Sequence, residues 1–255
     1  MGCCWVSCLG TCSGKITGEH LITEGIIEGK SVGVSGLPWC REERKFISKR
    51  AYTANILCRK HNSDLSPVDD AAIHAFNTLR KMIKIQDQRR ALIQERHWAG
   101  RFDVHEYVLD GERLERWFLK TLINFEVVGG QGLPILVPSG PPSQPPPELV
   151  KIAFGLSRLK HRAGLYLASV EGDSIMAQER VRYTSLVKES EGGDCIGAGE
   201  FRFYGLQFFL CLESRGLPTC ITRSGVEVSL RHHVAGINVG LNGQQSQRIK
   251  FTWPS

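Results

Sequence analysis

The chain has 255 residues, 42% of them hydrophobic and 23% charged, with a mean hydropathy of −0.16; these values belong to folded globular proteins and exclude fibrous and disordered classes. At about 150 residues per domain, this length fits one large domain or two small ones. No run of 18 apolar residues occurs, so a membrane-spanning helix is excluded, and 32 basic against 26 acidic residues permit an anionic partner without establishing one.

Nine cysteines is an odd count, and four of them (Cys3, Cys4, Cys8 and Cys12) crowd the first twelve positions, with Cys40, Cys58, Cys195, Cys211 and Cys220 following. That clustering suits metal binding better than a disulfide framework. The opening residues lack the basic and apolar pattern of a secretory leader, and Val6 stands where an N-myristoylation motif needs Ser or Thr. A reducing, cytoplasmic setting is expected. Cys8 and Cys12, with three residues between them, and Cys58 and His61, with two between them, read as two knuckles of a tetrahedral structural zinc site. Cys4 or Cys40 can replace a member, and Cys4 is the best substitute.

Between the knuckles lies Thr17-Gly18-Glu19-His20-Leu21-Ile22, and the second knuckle sits in Asn55-Ile56-Leu57-Cys58-Arg59-Lys60-His61-Asn62. Over about residues 8–80 this order resembles the HNH endonuclease pattern, in which a carboxylate-His pair on a first strand precedes N-L-x-C-x-x-C-H/N. The resemblance implies a zinc-stapled ββα-metal module that hydrolyses DNA phosphodiesters. His20 would be the general base and Asn55 the residue orienting it, while Glu19 and Asn62 would hold a catalytic Mg2+ or Mn2+. The chemistry is coherent on its own terms. A neutral imidazole can take a proton from water near neutral pH, and carboxylate and amide oxygens are ligands for a hard cation that stabilises developing charge. The sequence departs from the pattern in two places: 34 residues separate His20 from Asn55, which requires an insertion, and His61 stands where the family has Cys. If His61 instead takes the pattern's final catalytic position, the zinc site loses a member and Asn62 becomes a turn residue.

A helix is predicted from Ser66 as N-cap, with Pro67 at the first helical position, Asp69 and Asp70 at its positive end and apolar residues at Ala72, Phe76, Leu79 and Ile83. It should reach Arg89 or beyond. Arg80, Lys81, Lys84, Arg89 and Arg90 form a basic run, either a solvated face or a contact for a nucleic-acid backbone. A second helix starts at Asp110, and its stripe of Leu114, Trp117, Phe118, Leu122 and Phe125 should be core. Residues 129–148 hold seven of the eleven prolines, one of them Pro147, and read as a linker.

Beyond it, 164–170, 180–187, 201–214 and 248–253 are aromatic and β-branched runs between turn signals, pointing to a β-rich sandwich or open barrel. Cys195, Cys211 and Cys220 read as small core side chains, and His232 and His233 as structural. The expected architecture is α+β: an HNH-like zinc module with helical extension over 1–128, a linker over 129–148 and a β-rich domain over 149–255. The expected function is a metal-dependent endonuclease acting on DNA, with the C-terminal domain selecting targets, regulating or assembling a homo-oligomer. One alternative is a zinc module that binds nucleic acid or a protein without cutting. Another places the function in the C-terminal domain and leaves the zinc knot purely structural.

Overall fold

A computed structural model describes residues 4–96, 103–129, 132–142, 144–160, 163–169, 180–189, 191–203, 206–213, 226–229, 237–241 and 244–253. Cys3, Cys220, His232 and His233 lie outside the described residues. Strand β1 (Ile16–His20) pairs antiparallel with β4 (Thr53–Cys58), and helix α1 (Arg59–Asp64) follows directly. The insertion between them carries β2 (Ser31–Ser35) and β3 (Lys45–Ser48), an antiparallel pair. Helix α2 (Ser66–Arg96) starts one residue earlier than its sequence signals place it, with Ser66 as the first helical residue and the Leu65 carbonyl accepting the Val68 and Asp69 N–H groups, and it buries Ala72, Phe76 and Leu79.

The second predicted helix is α3 (Gly111–Gly129), and Asp110 Oδ1 accepts the Arg113 N–H at 2.9 Å, the N-cap bond that its sequence anticipates. Ahead of it, β5 (His105–Asp110) is a strand that periodicity does not reveal, because its pairing partner comes some 140 residues later. After the proline-rich stretch, Pro147 opens a short helix α4 (Pro147–Ala153) at the first helical position, where proline's fixed φ and missing N–H are tolerated. The remaining strands are β6 (Gly164–Ser169), β7 (Arg180–Lys188), β8 (Cys195–Phe203), β9 (Leu206–Cys211), β10 (Val226–Ser229), β11 (Ile237–Leu241) and β12 (Gln244–Thr252). The run 201–214, read from sequence as one strand, is two strands meeting at Phe203 and Leu206.

The mixed α+β architecture holds, but the sandwich or barrel expected of the C-terminal strands does not form: no sheet among the described residues closes into a barrel. Instead a seven-stranded open sheet runs β10-β6-β9-β8-β7-β2-β3, and a three-stranded one runs β11-β12-β5. Both join strands from the two sides of the 129–148 segment. The parallel pairs β2–β7 and β5–β12 make those joins. Helix α3 is the centre of the fold. On one side Trp117 meets Phe76 of α2 at 5.4 Å between ring centroids; on the other Phe118 meets Phe201 at 5.1 Å and Phe125 meets Tyr183 at 4.7 Å. The predicted aromatic stripe of α3 is therefore core, and one continuous apolar cluster extends from Cys4 to Phe251.

Because α3 is buried on nearly all sides, its polar residues need partners inside. Glu115 accepts the Leu165 N–H at 2.9 Å, and Glu126 accepts the Tyr183 hydroxyl at 2.6 Å and the Ser185 hydroxyl at 2.5 Å. Lys120, 2% exposed, lies 2.5 Å from Glu19 of β1 and 2.6 Å from Asp69 of α2. Asn124 donates to Glu19 at 3.4 Å and accepts the Trp5 indole N–H at 3.2 Å, which ties the N-terminal segment into the same network.

Candidate metal centre

Cys4, Cys12, Cys58 and His61 bring their ligand atoms within 4.8 Å of one another, and among the described residues they are the one group of three or more His, Cys, Asp or Glu placed to hold an ion. Three parts of the chain build the group. Cys58 is the last residue of β4 and the N-cap of α1, so Cys58 and His61 straddle a strand end and the first helical turn. Cys4 is fixed because its neighbours Trp5 and Val6 are core and the Trp5 N–H bonds Ile56 O at 3.1 Å. Cys12 lies in the exposed loop that returns to β1.

The His61 Nδ1 faces all three sulfurs, at 3.3 Å from Cys58, 3.4 Å from Cys4 and 3.7 Å from Cys12. Zn–S bonds of about 2.3 Å and a Zn–N bond of about 2.0–2.1 Å at tetrahedral angles place sulfur and nitrogen about 3.6 Å apart, so the donor set has zinc dimensions. The ring's other nitrogen, Nε2, is 2.9 Å from the Thr11 hydroxyl, the outer contact that fixes ring orientation in a metal-bound His. Without an ion, burial pushes the Cys4 thiol up, and burial together with hydrogen bonds and repulsion from Cys4 and Cys58 takes Cys12 to about 12. Burial also acts upward on Cys58, yet hydrogen bonds from the His61 and Ser13 backbone bring it below its ordinary value. Burial lowers His61, which keeps the imidazole neutral as a ligand must be. Three thiols with one neutral imidazole fill a tetrahedral shell with protein donors, the arrangement of a structural zinc site.

Three of the four zinc ligands expected from sequence are in this group, and the fourth is Cys4 in place of Cys8. Cys8 sits in a single 3-10 turn, Ser7–Leu9, that Gly10 closes in the left-handed conformation (φ 67°), and its side chain is exposed. Cys40, the other substitute, is buried away from the group beside Leu37.

The expected site for a catalytic Mg2+ or Mn2+ is not assembled from Glu19 and Asn62. Glu19 faces inward, 3% exposed; desolvation raises its pKa against the opposing pull of Lys120, and its Oε1 meets both Lys120 and Asn124. Asn62 donates to the Thr17 hydroxyl at 3.2 Å and to Gly18 O at 3.3 Å, fastening α1 to β1. The alternation of β1 that buries Glu19 turns His20 the other way. Register pairs His20 with Thr53 and Gly18 with Asn55, so His20 and Asn55 share the outer face of the hairpin. The His20 Nε2 lies 3.5 Å from the Glu24 carboxylate, whose neighbours are Lys49 at 3.9 Å and Arg50 at 3.8 Å. The partner of His20 is thus Glu24, which sequence reasoning overlooked although it lies four residues on, while Asn55 opens into a neighbouring groove. That groove, about 630 Å³, runs from Cys4, Trp5 and Cys8 to the prolines at 141, 142 and 145–147.

The basic run of α2 is divided between two tasks. Arg80 donates to Ile26 O at 2.5 Å and to Asn77, and the buried Arg89 donates to Asp103 O at 2.9 Å, so both brace the fold. Lys81, which lies 5.6 Å from the Tyr107 ring centroid, is exposed, as are Lys84 and Arg90, the last 3.6 Å from Asp87. No helix among the described residues is long and apolar enough to cross a membrane. Compared with known proteins, the chain matches no protein-family model, no curated protein and no solved structure.

Proposed function

We propose that this chain is a zinc-stapled binding module, in which the metal holds the N-terminal loop against the β1–β4 hairpin and α1 and takes no part in chemistry. The observation that carries this reading is the closed donor set: Cys4, Cys12, Cys58 and His61 supply four ligands and leave no position for water or substrate. Zinc supplies folding energy to such a site, and the protein's partners meet the surfaces that the staple holds in place. The test is metal content together with stability. Purified protein should carry one equivalent of zinc by plasma mass spectrometry, and Cys58→Ser should lose it and melt at lower temperature. A metal-free wild type with the melting temperature of the loaded protein would sink the reading.

A second reading, an HNH-type endonuclease acting on DNA, is favoured by the order β1–β4–α1 and by the half-buried His20 on the outer face of the hairpin, whose Nε2 is buried without a hydrogen-bond partner among the described residues. In this reading His20 takes the proton from the attacking water, and Glu24, rather than Glu19, is the carboxylate beside it. Plasmid nicking in magnesium or manganese, by zinc-loaded full-length protein beside His20→Ala, decides it: divalent-dependent nicks lost in the variant are expected, and equal nicking by the two proteins refutes the assignment.

A further inference from the structure

The insertion that separates β1 from β4 ends in an exposed basic strand, and this surface lies apart from the metal centre. Between residues 41 and 50 stand five basic residues (Arg41, Arg44, Lys45, Lys49 and Arg50) against two acidic ones, Glu42 and Glu43. Strand β3 forms one end of the seven-stranded sheet, pairing with β2 alone, so its outer edge is free of strand partners among the described residues. Phe46 in this strand is 71% exposed, the most exposed large apolar side chain among the described residues.

The ring is seated rather than dangling. Gly33 of β2 lies beneath it: a Cβ there would stand 2.6 Å from Arg44 Cδ and 3.3 Å from Phe46 Cε1, so the absent side chain makes room for Arg44 and Phe46 to lie side by side over the backbone. Lys45 points to the opposite face, its Nζ 5.7 Å from the ring centroid of Trp39, which is 39% exposed. Each face of this edge thus carries a ring with a cation, Phe46 with Arg44 on one and Trp39 with Lys45 on the other. At its far end Lys49 and Arg50 share Glu24 with His20.

We infer that the β3 edge, with Arg44, Lys45 and Phe46 at its centre and Trp39 beside it, binds single-stranded nucleic acid. Cations spaced along a strand track a phosphate backbone, and an exposed ring between them offers a base a stacking face that is tolerant of sequence. An acidic peptide would use the charges and the strand edge but leave Phe46 unused, and a lipid surface calls for a wider apolar patch than one ring. The inference replaces α2 as the nucleic-acid contact, since Arg80 and Arg89 are engaged internally. It goes beyond the zinc-module reading and needs no cutting.

The test is fluorescence anisotropy of zinc-loaded full-length protein with labelled oligothymidylate, and with a duplex of equal length, from about 50 to about 200 mM salt. Oligothymidylate should bind more tightly than duplex. Phe46→Ala should weaken it about five- to 150-fold, the range for one stacked base. Arg44→Ala should reduce the slope of log affinity against log salt by about 0.7. Lys81→Ala with Lys84→Ala, on α2, should leave binding unchanged. The inference is overturned if Phe46→Ala binds like wild type, if duplex binds as well as single strand, or if poly-glutamate or anionic vesicles displace the oligonucleotide charge for charge. Binding without nicking discards only the nuclease reading, and nicking that is indifferent to Phe46 discards only this one.

Discussion

Replacing Lys120 by Met tests whether Glu19 is a structural carboxylate. Among the described residues Lys120 is the sole cation in contact with Glu19, at 2.5 Å with both side chains at most 3% exposed, and it also serves Asp69 at 2.6 Å. Methionine keeps the length and apolar stem of lysine but leaves a buried carboxylate with only the Asn124 amide at 3.4 Å. Removing one partner of a buried pair costs about 3–5 kcal/mol, equivalent to roughly 6–20 °C in Tm for a chain of this size. Urea unfolding of the zinc-loaded protein at neutral pH should show the drop as a lower midpoint at unchanged slope. Adding Glu19→Gln removes the stranded charge, so the double variant should regain about 2 kcal/mol or more. The pH dependence has a definite sign. The folded-state pKa of Glu19 is already raised above its ordinary value by burial, and losing Lys120 raises it further. A raised carboxyl stabilises the fold below its unfolded pKa, and that contribution disappears as pH climbs through the folded value. The deficit of Lys120→Met should therefore shrink as pH falls toward about 4.5. A single variant within 1 kcal/mol of wild type, or a double variant no better than the single, refutes the reasoning.

Other expectations concern the metal centre and one backbone position. Cys4→Ser should lose zinc as Cys58→Ser does while Cys8→Ser keeps a full equivalent, and the reverse order by plasma mass spectrometry would restore the ligand set read from sequence. Thr11→Val removes the hydroxyl 2.9 Å from His61 Nε2 and should weaken zinc about 10- to 100-fold in competition with a chromophoric chelator; unchanged affinity would show that His61 needs no outer support. Gly36→Ala should destabilise by at least about 2 kcal/mol, because φ is +89° and the new Cβ would lie 1.9 Å from Tyr183 O. A melting temperature within 2 °C of wild type would contradict the close approach of β2 and β7.

What the sequence disclosed depended on distance along the chain. Cys58 and His61 were legible because both belong to one strand-to-helix junction, and Asp110 announced its helix through local capping chemistry, while the Ser66-Pro67 pair marked the start of α2 to within one residue. Cys8 competed with Cys4 on spacing alone; the choice between them falls to Trp5 and Val6, whose burial pins Cys4, and to Gly10, whose left-handed turn leaves Cys8 outside. Glu19 looked like a metal ligand because its cation comes about a hundred residues later, at Lys120, on a helix whose stripe of apolar residues conceals it. The proline-rich stretch looked like a boundary between domains, yet pairings such as Gly33 with Arg180 cross it, and no local pattern announces them.

That crossing has a consequence for how the chain is made. Everything the metal needs is synthesised by His61, so zinc can fasten the hairpin and its helix while most of the protein is still on the ribosome. Strand β2 has to wait for β7, about 147 residues downstream from Gly33 to Arg180, which at about 5–20 residues per second is roughly 7–30 s of elongation. Through that interval Val32 and Val34, both buried in the finished protein, have no permanent cover. An early, metal-fixed nucleus beside a late strand means that the two halves of the seven-stranded sheet can join only after most of the chain is made.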